Sequence, residues 1–223
     1  MSPVVESEPP AGLVAVQRIA RETAERAVGA ACAGMTEIEL RDRIEEWLRE
    51  AGAATTWTIT NVGFGPRSTI CFPDQPPTET ALRPVDVGHV DVHPGVPGEW
   101  WGDCTRTFLI GGGAPEHVRA LETVRAVHDA TLARCRPGMP ARELFAGCLE
   151  AIELAGYRLL DPWSNIGHSL RRGSAYDEKF IDATNERAMW GAWAIEPFLG
   201  GDDFGVKLED VVWFGPDGCR VLR

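Results

Sequence analysis

Two pairs of carboxylates and one histidine hold the chemistry that this chain offers. In VGHVDVHPGVPGEWWGDCTRTFLIG, Asp91 and Asp103 flank a turn rich in proline and glycine. Successive strand residues alternate faces, so a hairpin centred on Pro97 sets Asp91 directly opposite Asp103 on one face. The last such stretch, AWAIEPFLGGDDFGVKLEDVVWF, turns between Asp202 and Asp203 and sets Glu196 opposite Glu209. Each glutamate sits among apolar strand residues, where an unpaired carboxylate is costly. Four carboxylates in one interior raise each other's pKa, and two divalent cations would balance their charge. His168, in Ser164-Asn165-Ile166-Gly167-His168-Ser169, is the candidate imidazole. An oxygen-rich set with one nitrogen suits Mn²⁺, Co²⁺, Fe²⁺ or Zn²⁺.

A repeat supplies the elements that must position these groups. Residues 34–52 and 138–156 align at a constant offset, matching Gly34, Met35, Glu39, Leu40 and Gly52 with Gly138, Met139, Glu143, Leu144 and Gly156. Each follows another helical stretch, 13–31 or 115–135, and apolar spacing of three and four predicts helices in all four. Gly52 and Gly156 stand at helix C-cap positions. Strand-like runs cover 55–61, 68–72, 86–93, 99–110, 191–199 and 206–214. The expected fold class is α+β: a pseudo-two-fold duplicated helix pair with a curved, mostly antiparallel sheet inside. Residues 1–12 read as a flexible polar tail and 13–223 as one domain.

Composition narrows the partners. With 44% hydrophobic residues in 223, the chain is long enough to bury a full core. A net charge of −11 argues against nucleic acid. There is no apolar run to cross a bilayer and no signal peptide, so no membrane partner is expected and the reading is cytoplasmic. Six scattered cysteines, without a C-x-x-C pair, read as reduced thiols incidental to the site. Cys104 follows Asp103 by one residue and should face the other way. His117 and His128, on the predicted helix, read as solvated.

The stretches Trp101–Phe108, Ala194-Ile195-Glu196-Pro197 and Gly205–Val212 followed by Asp217-Gly218 resemble the pita-bread metallopeptidases: methionine aminopeptidase, aminopeptidase P and prolidase. The order Asp, Asp, His, Glu, Glu and its spacing are similar to the prolidase branch, over nearly all of 13–223. The extra N-terminal domain of prolidases is not among these residues. The resemblance implies that Asp91 chelates one metal, His168 and Glu196 bind the other, and Asp103 and Glu209 bridge them. It implies a bridging water as nucleophile, Glu196 as its proton shuttle, and Thr105 as a support for the ligands.

This sequence also departs from the pattern. The family's substrate-binding histidines have no counterpart in Cys71-Phe72-Pro73-Asp74-Gln75 or in Gly173-Ser174-Ala175-Tyr176-Asp177, and Lys207 replaces its closing-strand arginine. His89 and His93 flank Asp91 on its own strand face and are the candidate replacements for those catalytic donors. The reading is a hydrolase with two divalent ions, acting on an amide or peptide bond of a small-molecule or short-peptide substrate. A metal-dependent lyase or tailoring enzyme, or a non-catalytic binding protein on the same fold, stays open, as does a homodimer.

Overall fold

The computed structural model describes residues 6–71, 75–96, 99–174 and 180–223. Helices α1 (Ala11–Ala30) and α2 (Glu37–Glu50) lead into strands β1 (Thr55–Thr56) and β2 (Asn61–Phe64), then a 3₁₀ turn over Gly65–Thr69. Strands β3 (Val87–Val92), β4 (Pro94–Gly95) and β5 (Cys104–Leu109) follow. The second half repeats the plan with α3 (Pro115–Arg134) and α4 (Ala141–Leu154), then β6 (Arg158–Leu159), β7 (Asn165–Leu170) and β8 (Phe180–Asp182). It closes with β9 (Gly191–Ile195), β10 (Phe198–Gly200), β11 (Gly205–Lys207), β12 (Asp210–Gly215) and β13 (Gly218–Val221).

The repeat seen in the sequence is the repeat of the fold. Both helix pairs recur at the same offset, and the glycines that open and close the second helix of each pair, Gly34, Gly52, Gly138 and Gly156, all have positive φ. Only glycine takes that conformation without cost. Helix α2 starts in a reciprocal cap: the Glu39 amide donates to the Thr36 hydroxyl at 3.1 Å, and the Thr36 amide to the Glu39 carboxylate at 2.8 Å.

Every pairing between the described strands is antiparallel, in sheets ordered β2-β3-β5, β13-β12-β9-β7-β8, β11-β10-β6 and β1-β4. The apolar faces of α1 and α2 cover β2, β3 and β5, with Leu40, Ile44, Val90, Val92 and Cys104 in that core. Those of α3 and α4 cover the larger sheet, with Leu144, Ile152, Ile166 and Trp193. The opposite faces of the two sheets meet between the halves, and there the carboxylates lie.

Three expectations need correction. Asp91 pairs with Thr105 and Val92 with Cys104, so the first hairpin is shifted by two residues and His93, not Asp91, stands across from Asp103. The same register runs on past the strands: Gly95 bridges to Trp101 and the Gly102 amide donates to the Pro94 carbonyl at 2.8 Å, while Pro94 and Gly95 also pair with Thr56 and Thr55, which holds this arm of the hairpin in place. The run 68–72 is no strand: its start lies in the 3₁₀ turn, which carries Pro66 at its beginning, and Phe72 is outside the described residues. His128 is only 3% exposed, because α3 turns it toward Asp210 of β12.

Candidate metal centre

The second hairpin has the register expected from its turn. Ile195 pairs with Asp210 and Phe198 with Lys207, so Glu196 and Glu209 lie across from each other between those pairs. His168 comes from β7, a strand that the sequence reading did not foresee. A Cβ on Gly167 would come within 2.0 Å of the Ala194 carbonyl oxygen, so only glycine lets β7 approach β9 there. Asp103 is fixed from outside its strand: Gln17 of α1 donates from Nε2 to the Asp103 carbonyl at 2.7 Å and accepts the Asp103 amide at 2.9 Å.

These elements bring Asp91, Asp103, His168, Glu196 and Glu209 to one cavity of about 50 Å³. His93, Lys207, Cys71, Asn61 and Asp161 also line it, and Trp57, Trp163 and Phe180 are further wall residues. His168 Nε2 lies 3.1 Å from Asp103 Oδ2 and 3.7 Å from Glu196 Oε1. His93 Nε2 lies 3.1 Å from Asp91 Oδ1 and 3.5 Å from Asp103 Oδ1. The Lys207 ammonium stands 2.5 Å from Glu196, 3.2 Å from Asp91 and 3.9 Å from Glu209. His89 is not on the wall. Its ring is fully buried edge-on to Phe198, and neither ring nitrogen has a hydrogen-bond partner among the described residues.

Thr105 and Cys71 tie the carboxylates together. The Thr105 hydroxyl is 2.8 Å from Asp91 Oδ1 and 2.7 Å from Glu209 Oε2, and the Cys71 thiol donates to Asp91 Oδ2 at 3.1 Å. One hydroxyl proton serves only one of those two carboxylates. Burial, then the neighbouring Asp103, pushes Glu209 well above the usual carboxylate range. Asp91 goes the other way: burial would raise it, but His93 and Lys207 outweigh that and hold it well below the usual range. Burial would lower His168, yet Asp103 and Glu196 bring it up to about 9. Burial and Asp91 raise the Cys71 thiol, which keeps it protonated.

Opposed shifts of this kind belong to a cage with more negative charge than its own cations neutralise. Two further observations fit a divalent cation. Both Asp103 oxygens and Glu209 Oε1 are buried without a hydrogen-bond donor among the described residues. Ligand atoms of Asp91, His93 and Asp103, and of Asp103, His168 and Glu209, form two groups whose members all lie within 4.8 Å of one another. Asp103 is common to both.

Of the sequence-predicted site residues, the five ligands and His93 meet at the cavity; His89 lies behind it. Cys104 points into the α1–α2 core, as alternation requires. Cys71 corrects the view of the thiols as incidental, since it touches a ligand. Trp57 was not foreseen either: its ring stands edge-on to both His93 and His168, with centroids 5.0 and 5.6 Å away. Nothing in its short, polar neighbourhood marks it, whereas Cys71 occupies the stretch where a substrate group was sought. The run 173–177 is described only to Ser174.

Comparison with known proteins agrees with this geometry. Residues 11–215 match the family model described as Metallopeptidase family M24. Methionine aminopeptidase A of Synechocystis is 27% identical over 146 residues, spanning 62% of this chain and 55% of that protein. Prolidase from Pyrococcus furiosus superposes with a TM-score of 0.87 at 20% identity, over 98% of this chain and 65% of that one. X-Pro aminopeptidase from Thermotoga maritima gives 0.84 at 21%, over 95% and 59%. The chain thus spans roughly three-fifths of the length of these relatives.

Proposed function

Because the chain belongs to metallopeptidase family M24 and has its pita-bread fold, we propose that it is a metal-dependent hydrolase that cleaves an amide or peptide bond in a small substrate. The observation that carries this reading is the convergence of Asp91, Asp103, His168, Glu196 and Glu209 on one cavity, with buried oxygens of Asp103 and Glu209 left for a cation. In this reading Asp91, Asp103, His168, Glu196 and Glu209 would hold two divalent ions. When bound, they supply a water of lowered pKa and polarise the scissile carbonyl.

The chain's own residues do the rest. Glu196, which reaches both Lys207 and His168, takes the proton from the attacking water and hands it to the leaving nitrogen. Thr105 holds Asp91 and Glu209 in register. The substrate-polarising histidines of the family lack counterparts here, and His89 lies off the wall. Lys207 lines the cavity and is the candidate to meet charge that develops on the substrate. Removing one oxyanion donor costs on the order of 10²–10³ in rate, so standard Xaa-Pro dipeptides should be poor substrates. Trp57, Trp163 and Phe180 on the wall are the residues that a bound substrate would meet beside the cage.

Metal analysis of protein purified without chelator, followed by a panel of dipeptides and small amides, tests this. The expected result is metal near two per chain and turnover of some amide that chelation abolishes. Asp103→Ala should lose both ions together. Protein that binds no divalent metal under saturating Mn²⁺ or Co²⁺ would refute the proposal.

A further inference from the structure

His93 has more to do than occupy a strand end. It stands two residues after Asp91, so the two side chains leave the strand on one face, and the shifted hairpin register puts it across from Asp103. Its ring is only 4% exposed and is held edge-on by Trp57 at 5.0 Å. Its Nε2 lies 3.1 Å from one oxygen of Asp91 and 3.5 Å from one oxygen of Asp103. The Asp103 oxygen has no hydrogen-bond donor in line among the described residues, so the imidazole and the carboxylate approach each other without bonding.

Two atoms that share a metal behave in this way. Bonds of about 2.1 Å put neighbouring ligand atoms about 3.0 Å apart in an octahedron and about 3.4 Å apart in a tetrahedron. The 3.5 Å between His93 and Asp103 lies at the tetrahedral edge, and the 3.1 Å contacts of His93 with Asp91, which is also a hydrogen bond, and of His168 with the other Asp103 oxygen lie near the octahedral one. The two Asp103 oxygens therefore face different imidazoles, His93 on one side and His168 on the other.

We infer that His93 is a metal ligand, completing a site with Asp91 and Asp103, so that each half of the cage holds its cation with one imidazole and shared carboxylates. The inference rests on the dinuclear reading above but goes beyond it, since that reading leaves the Asp91 side to oxygen ligands alone. It also assigns His93 a role other than donor to the substrate.

The two sites are unequal. His168 Nδ1 lies 3.1 Å from the Ser169 carbonyl oxygen, which orients the ring and raises its basicity as a ligand. His93 Nδ1 is buried with no partner among the described residues. Lys207 lies 3.2 Å from the second Asp91 oxygen, so an ion there also meets a fixed positive charge. The His93 site is the weaker of the two and fills second.

Calorimetric titration of chelator-treated protein with Mn²⁺ tests this. Wild type should show two unequal binding steps. His93→Gln should keep the tighter step and weaken the other by about tenfold or more. Both steps unchanged in His93→Gln, with turnover of an amide lost, would overturn the inference in favour of a substrate donor and leave the hydrolase reading intact. No binding step in wild type would overturn both. Should His93→Gln fail to fold, pulsed EPR of wild-type protein loaded with Mn²⁺ decides: coupling to two imidazole nitrogens is expected, and coupling to only one refutes the assignment.

Discussion

Replacing His89 by leucine should make the protein more stable, and increasingly so in acid. The imidazole is fully buried between β2, β3 and Phe198, with both nitrogens unpartnered among the described residues. An orphaned buried polar atom costs about 1–3 kcal/mol, so a leucine of similar size should gain on the order of 1–3 kcal/mol at pH 7 after imperfect packing is allowed for. Burial is the largest influence on the ring. It outweighs the attraction of Asp91, is aided by Lys207 and Arg67, and lowers the pKa from 6.5 to about 4. The folded state therefore binds fewer protons than the unfolded state between these values. Stability is fully present above pH 6.5 and is lost as pH falls toward 4, by about 3 kcal/mol in total. His89→Leu removes that loss. Urea unfolding of both proteins at pH 5, 6, 7 and 8, with chelator present, measures the difference, in which the other titrating groups cancel. Curves that run parallel with pH would refute the burial argument. A folded His89→Leu protein that binds metal normally but has lost turnover would show that the ring does reach the substrate.

Other perturbations probe the cage itself. Lys207→Met strands the carboxylates it pairs with, so metal-free protein should lose about 3–5 kcal/mol in urea unfolding while the metal-loaded form loses much less. Gln17→Ala frees the backbone of Asp103 and should weaken Mn²⁺ binding by about 10–100-fold in calorimetry, although Gln17 touches no cation. His168 has the opposite pH signature to His89: raised to about 9, it stabilises metal-free protein below pH 6.5, and that contribution of about 3 kcal/mol is lost as pH rises through 9. His168→Gln should flatten this alkaline limb in the same unfolding assay.

The ligands were legible because strand alternation is a strict rule, whereas hairpin register is not. The stretch Pro94-Gly95-Val96-Pro97-Gly98 offers more than one place to turn, and the shift by two left Asp91 and Asp103 on the expected face. A shift by one would have turned one of them into the core. In the second hairpin the single turn at Asp202-Asp203 left no such freedom, and the register followed. His168 was found as a residue type, without its strand: β7 pairs through a bulge and a glycine, which blur the apolar pattern. Trp57, Cys71 and Asp161 reach the cavity from loops, where no period links side-chain direction to sequence. His128 was misjudged because helix α3 carries a weak apolar stripe, and what buries it is Asp210, far away in the chain.

The duplication gives the cage its logic. The first half contributes Asp91, His93 and Asp103, and the second contributes His168, Glu196 and Glu209, so each half supplies two carboxylates and one imidazole. The carboxylates are also paired across the seam between the halves. Lys207 of the second half reaches Asp91 of the first, and Thr105 of the first reaches Glu209 of the second. Arg106 fastens the same seam from behind: it donates to the Glu209 carbonyl at 2.6 Å and pairs with Asp210 at 2.6 Å. Thr107 exchanges two more hydrogen bonds with the Lys207 backbone. Strands β5 and β11–β12 are thus joined along the line on which the ligands lie. A cation bound there has carboxylates of both halves as partners and must stabilise the halves as one unit, because neither holds enough of the cage by itself.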